Sequence, residues 1–154
     1  KTMKNVFVDE PLIFSGIQLT ENWMKETFQL EGDTIMAFIG PTQLVLSADK
    51  QPVLNNSDLF VHPNMLHFIA QHPQSTLKEI TLYQRLFIGC LERILPLKIN
   101  RKALNIYHNT MQLSITTLQV NKENALFHVG IFMNSEKNPK ITGFFCLVRI
   151  VIIF

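Results

Sequence analysis

Residues 108–120, with the sequence HNTMQLSITTLQV, alternate between apolar and polar side chains. In an extended chain this alternation puts Gln112, Ser114 and Thr116 on one side and apolar residues on the other. A second alternating run, ALFHVGIFM at 125–133, follows after the polar sequence QVNKEN. Two such runs with a short polar connection predict an antiparallel β-hairpin.

The polar side of this hairpin is the main candidate for ligand binding. If the apolar sides of both strands face the helices, the opposite side gathers Gln112, Ser114, Thr116, His128 and Gly130. A glycine inside a strand often marks the close approach of a ligand or of another backbone. A sheet surface that faces only solvent explains the same pattern, so both interpretations stay open.

The middle of the chain is expected to be helical. Thr76 and Glu79 have the spacing of a capping box, and the helix that they begin should end at Leu95, before Pro96. Its predicted apolar stripe consists of Leu77, Ile80, Tyr83, Phe87, Ile88, Cys90, Leu91, Ile94 and Leu95. Pro63 and Pro73 bound a second, shorter predicted helix, NMLHFIAQ at 64–71.

The remaining elements before and after this region are mostly strands. The N-terminal half predicts a strand in NVFVDEP, a helix from the N-cap Thr20 to Gly32, and strands in DTIMAFIGP and TQLVLS joined by a Gly-Pro turn. Further strands are expected near 104–108, 111–118 and 125–133. Strands, then helices, then strands predict an α+β fold with a mixed, largely antiparallel sheet flanked by helices.

The composition is that of a compact protein. The 154 residues fit one domain, 1–154, and only 17% of them are charged, with a net charge of +2. No basic stripe is visible, so nucleic acid is not expected as a partner. The apolar run 143–154 is too short to span a membrane and contains Arg149. Cys90 and Cys146 are expected to be reduced core residues. Reduced cysteines and the lack of a spanning segment together predict a cytoplasmic protein.

Several other polar residues are weaker candidates. His62, His67 and His72 are spaced by five, which on a helix separates successive side chains by about 140° and predicts ordinary surface and capping histidines instead of a metal site. Gln84 falls inside the apolar stripe, where a hydrogen bond to backbone or a contact with a ligand would satisfy its amide.

Two charged residues complete these weaker candidates. Arg85 lies on the polar stripe of the long helix, where a solvated charge is the simplest explanation. Asp33 precedes a buried strand, at a turn position that suits either local hydrogen bonding or a functional carboxylate.

Five segments resemble the uncharacterised DUF366 family in order and spacing, namely VDEPLIFSGIQL, LEGDTIMAFIGP, PNMLHFIAQH, YQRLF and LSITT…ALFHVGI. The resemblance covers about residues 5–134. It implies the fold of the class II aminoacyl-tRNA synthetases and of the biotin and lipoate protein ligases, which is a mixed sheet flanked by helices. The ligases form acyl-adenylates, so ATP enters as a cofactor by fold analogy alone.

The resemblance also implies three residues that this chain replaces. A basic residue is implied where the chain has Gln112, an arginine where it has Ile39, and an asparagine where it has Phe132. The first two replacements remove positive charge, which weakens the binding of an anionic phosphate. An adenylate-forming ligase or acyltransferase would have to work without these groups.

Three functions follow as hypotheses. The first is a small-molecule-binding domain of ligase-like fold with the hairpin as its site, and the second is ATP-dependent activation or transfer of a carboxylic-acid cofactor such as lipoate or biotin. The third is a non-catalytic assembly protein, because the apolar tail 143–154 must be covered either within the domain or by a second copy in a homodimer.

Overall fold

The computed structural model describes residues 2–45, 59–95 and 98–133, which form two β-sheets and two α-helices. The helices are α1 (Trp23–Phe28) and α2 (Leu77–Ile94), and a 3₁₀ turn spans Ile17–Leu19. The strands are β1 (Lys4–Val8), β2 (Thr34–Val45), β3 (Leu59–Pro73), β4 (Asn100–Lys102), β5 (Asn105–His108), β6 (Met111–Gln112), β7 (Ser114–Val120) and β8 (Asn124–Phe132).

The larger sheet has the order β1-β2-β3-β8-β7. Strand β1 runs parallel to β2, and the other neighbours in this sheet are antiparallel. Strands β4, β5 and β6 form a second, smaller antiparallel sheet. The α+β fold with a mixed, largely antiparallel sheet is therefore confirmed.

The two faces of the larger sheet are covered by different parts of the chain. On the first, which we call the helix face, α2 packs through Ile80, Ile88 and Leu91 onto a core that includes Phe68 and Phe127. On the other, which we call the opposite face, the segment 12–30 covers the sheet. The buried residues of that second cluster are Phe14, Leu19, Met24, Met36, Phe38, Ile69 and Leu126.

The predicted helix at 64–71 is wrong, because these residues belong to β3. Strand β3 is the central strand of the larger sheet, between β2 and β8, and residues 65–72 are all buried. A strand that is covered on both faces reads as a continuous apolar run without alternation, and periodicity alone does not distinguish such a run from a buried helix.

Two further predictions in the N-terminal half are corrected. Helix α1 is shorter than expected and begins after Asn22, while the Thr20 hydroxyl donates to the Ile17 carbonyl and closes the 3₁₀ turn. The expected turn at Gly40-Pro41 is a β-bulge inside the continuous strand β2. At Gly40 a Cβ would lie 1.9 Å from the Leu12 carbonyl oxygen, so glycine is required where the chain crosses the strand.

Helix α2 confirms the prediction from the capping box. The Thr76 hydroxyl accepts from the Glu79 backbone N–H, and the Glu79 carboxylate accepts from the Thr76 N–H. The predicted apolar stripe is too wide, however, because Leu77, Tyr83 and Cys90 are exposed. Cys90 is therefore a free surface thiol and not a core residue, while Cys146 and the tail lie outside the described residues.

No helix in the described ranges is long and apolar enough to cross a membrane.

Candidate functional sites on the two faces of the sheet

The hairpin of β7 and β8 does not gather the predicted site residues on one face. The register puts Thr117 opposite His128, and facing residues of an antiparallel pair share a face. Alternation then places Ser114 and Thr116 on the helix face, whereas His128 and Gly130 lie on the opposite face. The predicted grouping is wrong because the apolar side chains of β8 line both faces, so the pattern alone did not set the register.

Two of the predicted hairpin residues, Ser114 and Gln112, make hydrogen bonds within the fold. Ser114 is fully buried, and its hydroxyl accepts from the Ile106 backbone N–H at 2.8 Å. Gln112 is exposed in the smaller sheet, and its amide donates to the Ser114 carbonyl at 2.6 Å. Thr116 is half-buried. Ser114 thus joins the two sheets of the fold.

The glycine of the hairpin makes room for the protein's own side chains. A Cβ at Gly130 would lie 2.8 Å from the Met65 methyl carbon and 3.1 Å from Cε1 of His128. Both atoms belong to side chains on the opposite face. The space that Gly130 leaves is therefore filled by side chains of the protein itself.

His128 forms a buried pair with His67 on this opposite face. His67 Nδ1 lies 3.0 Å from His128 Nε2, and both side chains are fully buried. Phe14 stacks on the His128 ring with centroids 3.8 Å apart. The earlier interpretation of His67 as an ordinary surface residue is wrong, because it rested on the helix that the structure replaces with β3.

The hydrogen bonds around this pair assign its protons. His67 Nε2 lies 3.2 Å from the Gly40 carbonyl, which can only accept, so Nε2 carries the proton. In the neutral ring Nδ1 then accepts from His128 Nε2, which leaves His128 Nδ1 as an acceptor. This buried nitrogen has no hydrogen-bond partner among the described residues.

Burial also sets the protonation state of His128. The pKa of His128 is held well below its usual value, first because burial disfavours the charged ring and second because His67 lies beside it. His128 is therefore neutral at pH 7, in agreement with the proton assignment. The pair closes a structural network on the covered face.

A second histidine pair lies at the other end of β3. The register that pairs Thr34 with Gln71 brings Asp33 next to His72. His72 Nδ1 lies 3.1 Å from the Asp33 carboxylate, with 9% of the histidine side chain and 31% of the aspartate side chain exposed. The Tyr83 ring contacts the imidazole, with centroids 4.5 Å apart. His72 is thus buried against an aromatic ring and not a surface residue as expected.

The Asp33–His72 pair opens into a cleft of about 370 Å³. Most of the cleft wall is apolar. It is lined by Met3, Asp33, Ile35, Ala70, His72, Tyr83, Leu86, Phe87 and Phe127. Because a carboxylate only accepts, the Asp33 contact puts the proton of the neutral ring on Nδ1 and leaves Nε2 as an acceptor. Nε2 has no hydrogen-bond partner among the described residues. Unlike the unpaired nitrogen of His128, it is not fully buried.

The other weaker candidates have separate surroundings. Gln84 is fully buried, and its amide donates to the carbonyls of Thr117 and His128 at 3.2 and 3.3 Å. The Gln84 amide therefore bonds to backbone, which is the first of the two explanations that its place in the apolar stripe allowed. Arg85 is exposed on α2.

The two remaining positions that the resemblance singled out are partly buried apolar residues. Ile39 packs against the core of the helix face, and Phe132 is half-buried opposite Met65. Together with the exposed amide of Gln112, they leave no cation at the three positions.

Sequence reasoning missed His67 and His72 as members of polar pairs. Both belong to β3, where an odd spacing of five puts the two side chains on opposite faces. The local pattern gave no signal for them, because Asn64, His67 and Gln71 have the i, i+3, i+7 spacing of a helical polar stripe and so favour an amphipathic helix.

Comparison with known proteins gives one family and one fold. The family described as a domain of unknown function (DUF366) matches residues 3–150. An uncharacterised protein of Methanocaldococcus jannaschii is 24% identical over 152 residues, covering 92% of this chain and 69% of that protein. A protein of unknown function from Pyrococcus horikoshi superposes with a TM-score of 0.75 at 20% identity, covering 88% of this chain and 75% of that one.

Two solved structures with bound ligands share the fold at lower similarity. The biotin acetyl coenzyme A carboxylase synthetase of Helicobacter pylori, with bound biotinylated ATP, has a TM-score of 0.54 at 15% identity, covering 89% of this chain and 64% of that one. A protein of Thermoplasma acidophilum with bound lipoic acid has a TM-score of 0.56 at 11% identity, covering 88% and 70%. This chain belongs to the DUF366 family, and its fold is that of the biotin and lipoate protein ligases.

Proposed function

We propose that this chain binds a small organic molecule in the Asp33–His72 cleft. The observation that carries the proposal is the His72 ring, which Asp33 holds through one nitrogen while the other has no partner among the described residues. A mostly apolar cleft with a few convergent polar groups is the usual form of a small-molecule site, and about 370 Å³ lies within the usual range of volumes.

The chemistry of the cleft selects the kind of ligand. Its apolar wall suits an aliphatic or aromatic body, since burying such a body is favourable at roughly 25 cal/mol per Å². Because Nε2 of neutral His72 accepts, the polar end of the ligand should present an O–H or N–H group. Asp33 adds negative charge, which disfavours a carboxylate at the same place.

The fold relatives support the class of function but not the ligand. Their structures hold biotinylated ATP and lipoic acid, which are small organic molecules. A histidine that a carboxylate orients is also an arrangement in which imidazole takes a proton from a bound O–H group. Binding is the part of this chemistry that the described residues support.

A matched pair of ligands tests the proposal. Octanamide and octanoate have the same chain length, but only octanamide presents N–H donors at neutral pH. We expect octanamide to raise the melting temperature in a thermal-shift assay at pH 7.5 more than octanoate does. Biotin, lipoate and ATP complete the panel.

Two variants locate the binding. His72→Phe keeps a ring against Tyr83 and removes Nε2, so the shift with octanamide should disappear. His108→Phe, at a half-buried histidine of β5 outside the cleft, should leave the shift unchanged. A panel in which no ligand raises the melting temperature, or a shift that survives His72→Phe, would show the site to be wrong.

Ligand binding by the hairpin residues Gln112, Ser114, Thr116, His128 and Gly130 stays a separate prediction. A ligand whose shift survives His72→Phe but is lost in Thr116→Val would favour the hairpin instead. Thr116 suits this test because it is half-buried and valine keeps its shape.

A further inference from the structure

We propose that the outer surface of α2 is a docking site for an acidic amphipathic helix of a partner protein. We call this surface the arginine groove, and it encloses about 580 Å³. Its main lining residues are Leu82, Arg85, Leu86, Gly89, Arg93 and Arg101. It borders the Asp33–His72 cleft at Leu86, but it contains none of the polar groups of that cleft.

Three arginines line the groove, two from α2 and one from β4. Arg85 and Arg93 are eight residues apart on α2, which is a rise of about 12 Å. Arg101 reaches in from β4, and its Nη1 lies 3.7 Å from where a Cβ of Gly89 would be, between the other two. The helix positions that carry or contact these arginines, 85, 89 and 93, therefore follow one another at a backbone rise of about 6 Å.

These arginines have no carboxylate partner among the described residues. The ion pairs in the described part of the chain are Lys25–Glu31 and His72–Asp33. Glu92 is on the same helix but does not line the groove. Unpaired guanidinium groups gathered along one helix attract carboxylates or phosphates.

The groove also has exposed apolar anchors. Leu82 and Leu86 are 48% and 68% exposed, and their spacing of four places them side by side on the helix. Gly89 leaves the middle of the groove open, although glycine is one of the poorest residues for a helix interior. Exposed leucines beside an open notch are typical of a surface that a partner covers.

The combination of charge and apolar area selects the occupant. A helix with Asp or Glu at every fourth position presents carboxylates with the same rise of about 6 Å, and leucines beside them would meet Leu82 and Leu86. A second copy of this chain related by a two-fold axis through the groove would place arginine against arginine, which is unfavourable. A nucleic acid backbone would leave the leucines without a role.

Selection from a displayed library of helical peptides tests the docking site. The full chain is the target, and we expect the enriched peptides to combine acidic residues spaced by four with leucine. Binding of a selected peptide, measured by fluorescence anisotropy, should weaken at least about tenfold in Arg85→Glu and in Arg93→Glu. Lys78→Glu makes the same charge change at an exposed residue of α2 outside the groove, and it should change the affinity less than about twofold.

A charge exchange separates lost contacts from lost folding. Arg93→Glu should regain the peptide when the facing glutamate of the peptide is changed to lysine, because the ion pair is restored in reverse. Selected peptides without acidic residues, equal losses in Lys78→Glu, absence of any rescue, or displacement of the peptide by oligouridylate with the same arginine dependence would each overturn the proposal.

Discussion

His67 and His72 lie five residues apart on the same strand and have opposite surroundings. His67 is enclosed on the opposite face, where His128 is its partner and Phe14 stacks on both rings. His72 is on the helix face at the C-terminal end of the central strand β3, where Asp33 orients it and a cleft opens beside it. Coverage by the rest of the chain, and not residue type, therefore decides whether a histidine completes the core or stays available for a ligand.

The aromatic neighbours of the two histidines show the same contrast. Phe14 is fully buried and seals the closed pair, whereas Tyr83 is 40% exposed and forms one wall of the open cleft. Because protein groups enclose the closed pair, a substitution in it should lower the free energy of unfolding strongly. The open pair should tolerate change with little effect on folding.

The largest difference in stability is expected when the aromatic ring beside each pair is removed. Phe14→Ala should lower the free energy of unfolding by about 3–5 kcal/mol, as for other buried phenylalanines. Tyr83→Ala should lower it by about 1 kcal/mol, because much of its ring already contacts water. Urea denaturation of both variants measures the two values. Equal losses would contradict the conclusion that one pair is enclosed and the other is open to the cleft.

Replacing the histidines themselves sharpens the comparison. His67→Leu should cost about 2–3 kcal/mol, because it leaves the Gly40 carbonyl and the His128 N–H buried without a partner. His72→Leu should cost about 1 kcal/mol or less, since solvent reaches the Asp33 carboxylate that it leaves behind. A larger loss in His72→Leu than in His67→Leu would reverse the assignment of the closed and open pairs.

The closed pair should also make stability depend on pH. The pKa of His128 is lower in the folded state than in the unfolded state, so below about pH 6.5 the unfolded state binds more protons. The free energy of unfolding should therefore fall as the pH decreases from 6.5, by up to about 1.4 kcal/mol per pH unit until the folded-state pKa is reached.

Above pH 6.5 this contribution is constant, because His128 is then neutral in both states. His128→Gln should flatten the pH dependence between 6.5 and 5, as measured by urea denaturation at half-unit intervals. An unchanged slope in this variant would assign the pH dependence to other groups.

The smallest effect is expected at the carboxylate of the open pair. Asp33→Asn keeps the shape of the side chain but removes its charge, which should lower the free energy of unfolding by about 0.5–1 kcal/mol. The octanamide shift should fall as well, since an amide can hydrogen-bond either protonation form of Nδ1 and no longer selects Nε2 as the acceptor. A variant with normal stability and a normal ligand shift would show that Asp33 does not orient His72.

Much of the fold could be predicted because its signals are local. The capping box at Thr76 and the periodic stripe behind it set the position of α2, and alternation at 111–120 and 125–133 indicated the hairpin strands. The order of these elements was enough to predict an α+β fold. Each of these signals depends on residues within a few positions of one another.

The candidate site was much less predictable. Asp33 was singled out from the sequence, but its partner His72 was expected to be an ordinary surface or capping histidine after a helix at 64–71, a segment that belongs to strand β3. The hairpin was expected to gather polar groups on one face, whereas its register places Ser114 toward the helix and His128 toward Phe14. A one-residue change of register exchanges the faces of every side chain, and no local pattern prevents it when both faces are buried.

The sequence by itself determined which segments are strands or helices wherever their periodicity or caps are strong, and it determined the family through residues spread over most of the chain. The tertiary structure alone decided that β3 is the central strand, that His67 and His128 share a closed face, and that Asp33 and His72 meet at an open cleft. Local structure depends on neighbours in the chain, but burial and pairing depend on residues tens of positions apart. The contact between His67 and His128 spans 61 positions and arises only when β3 pairs with β8.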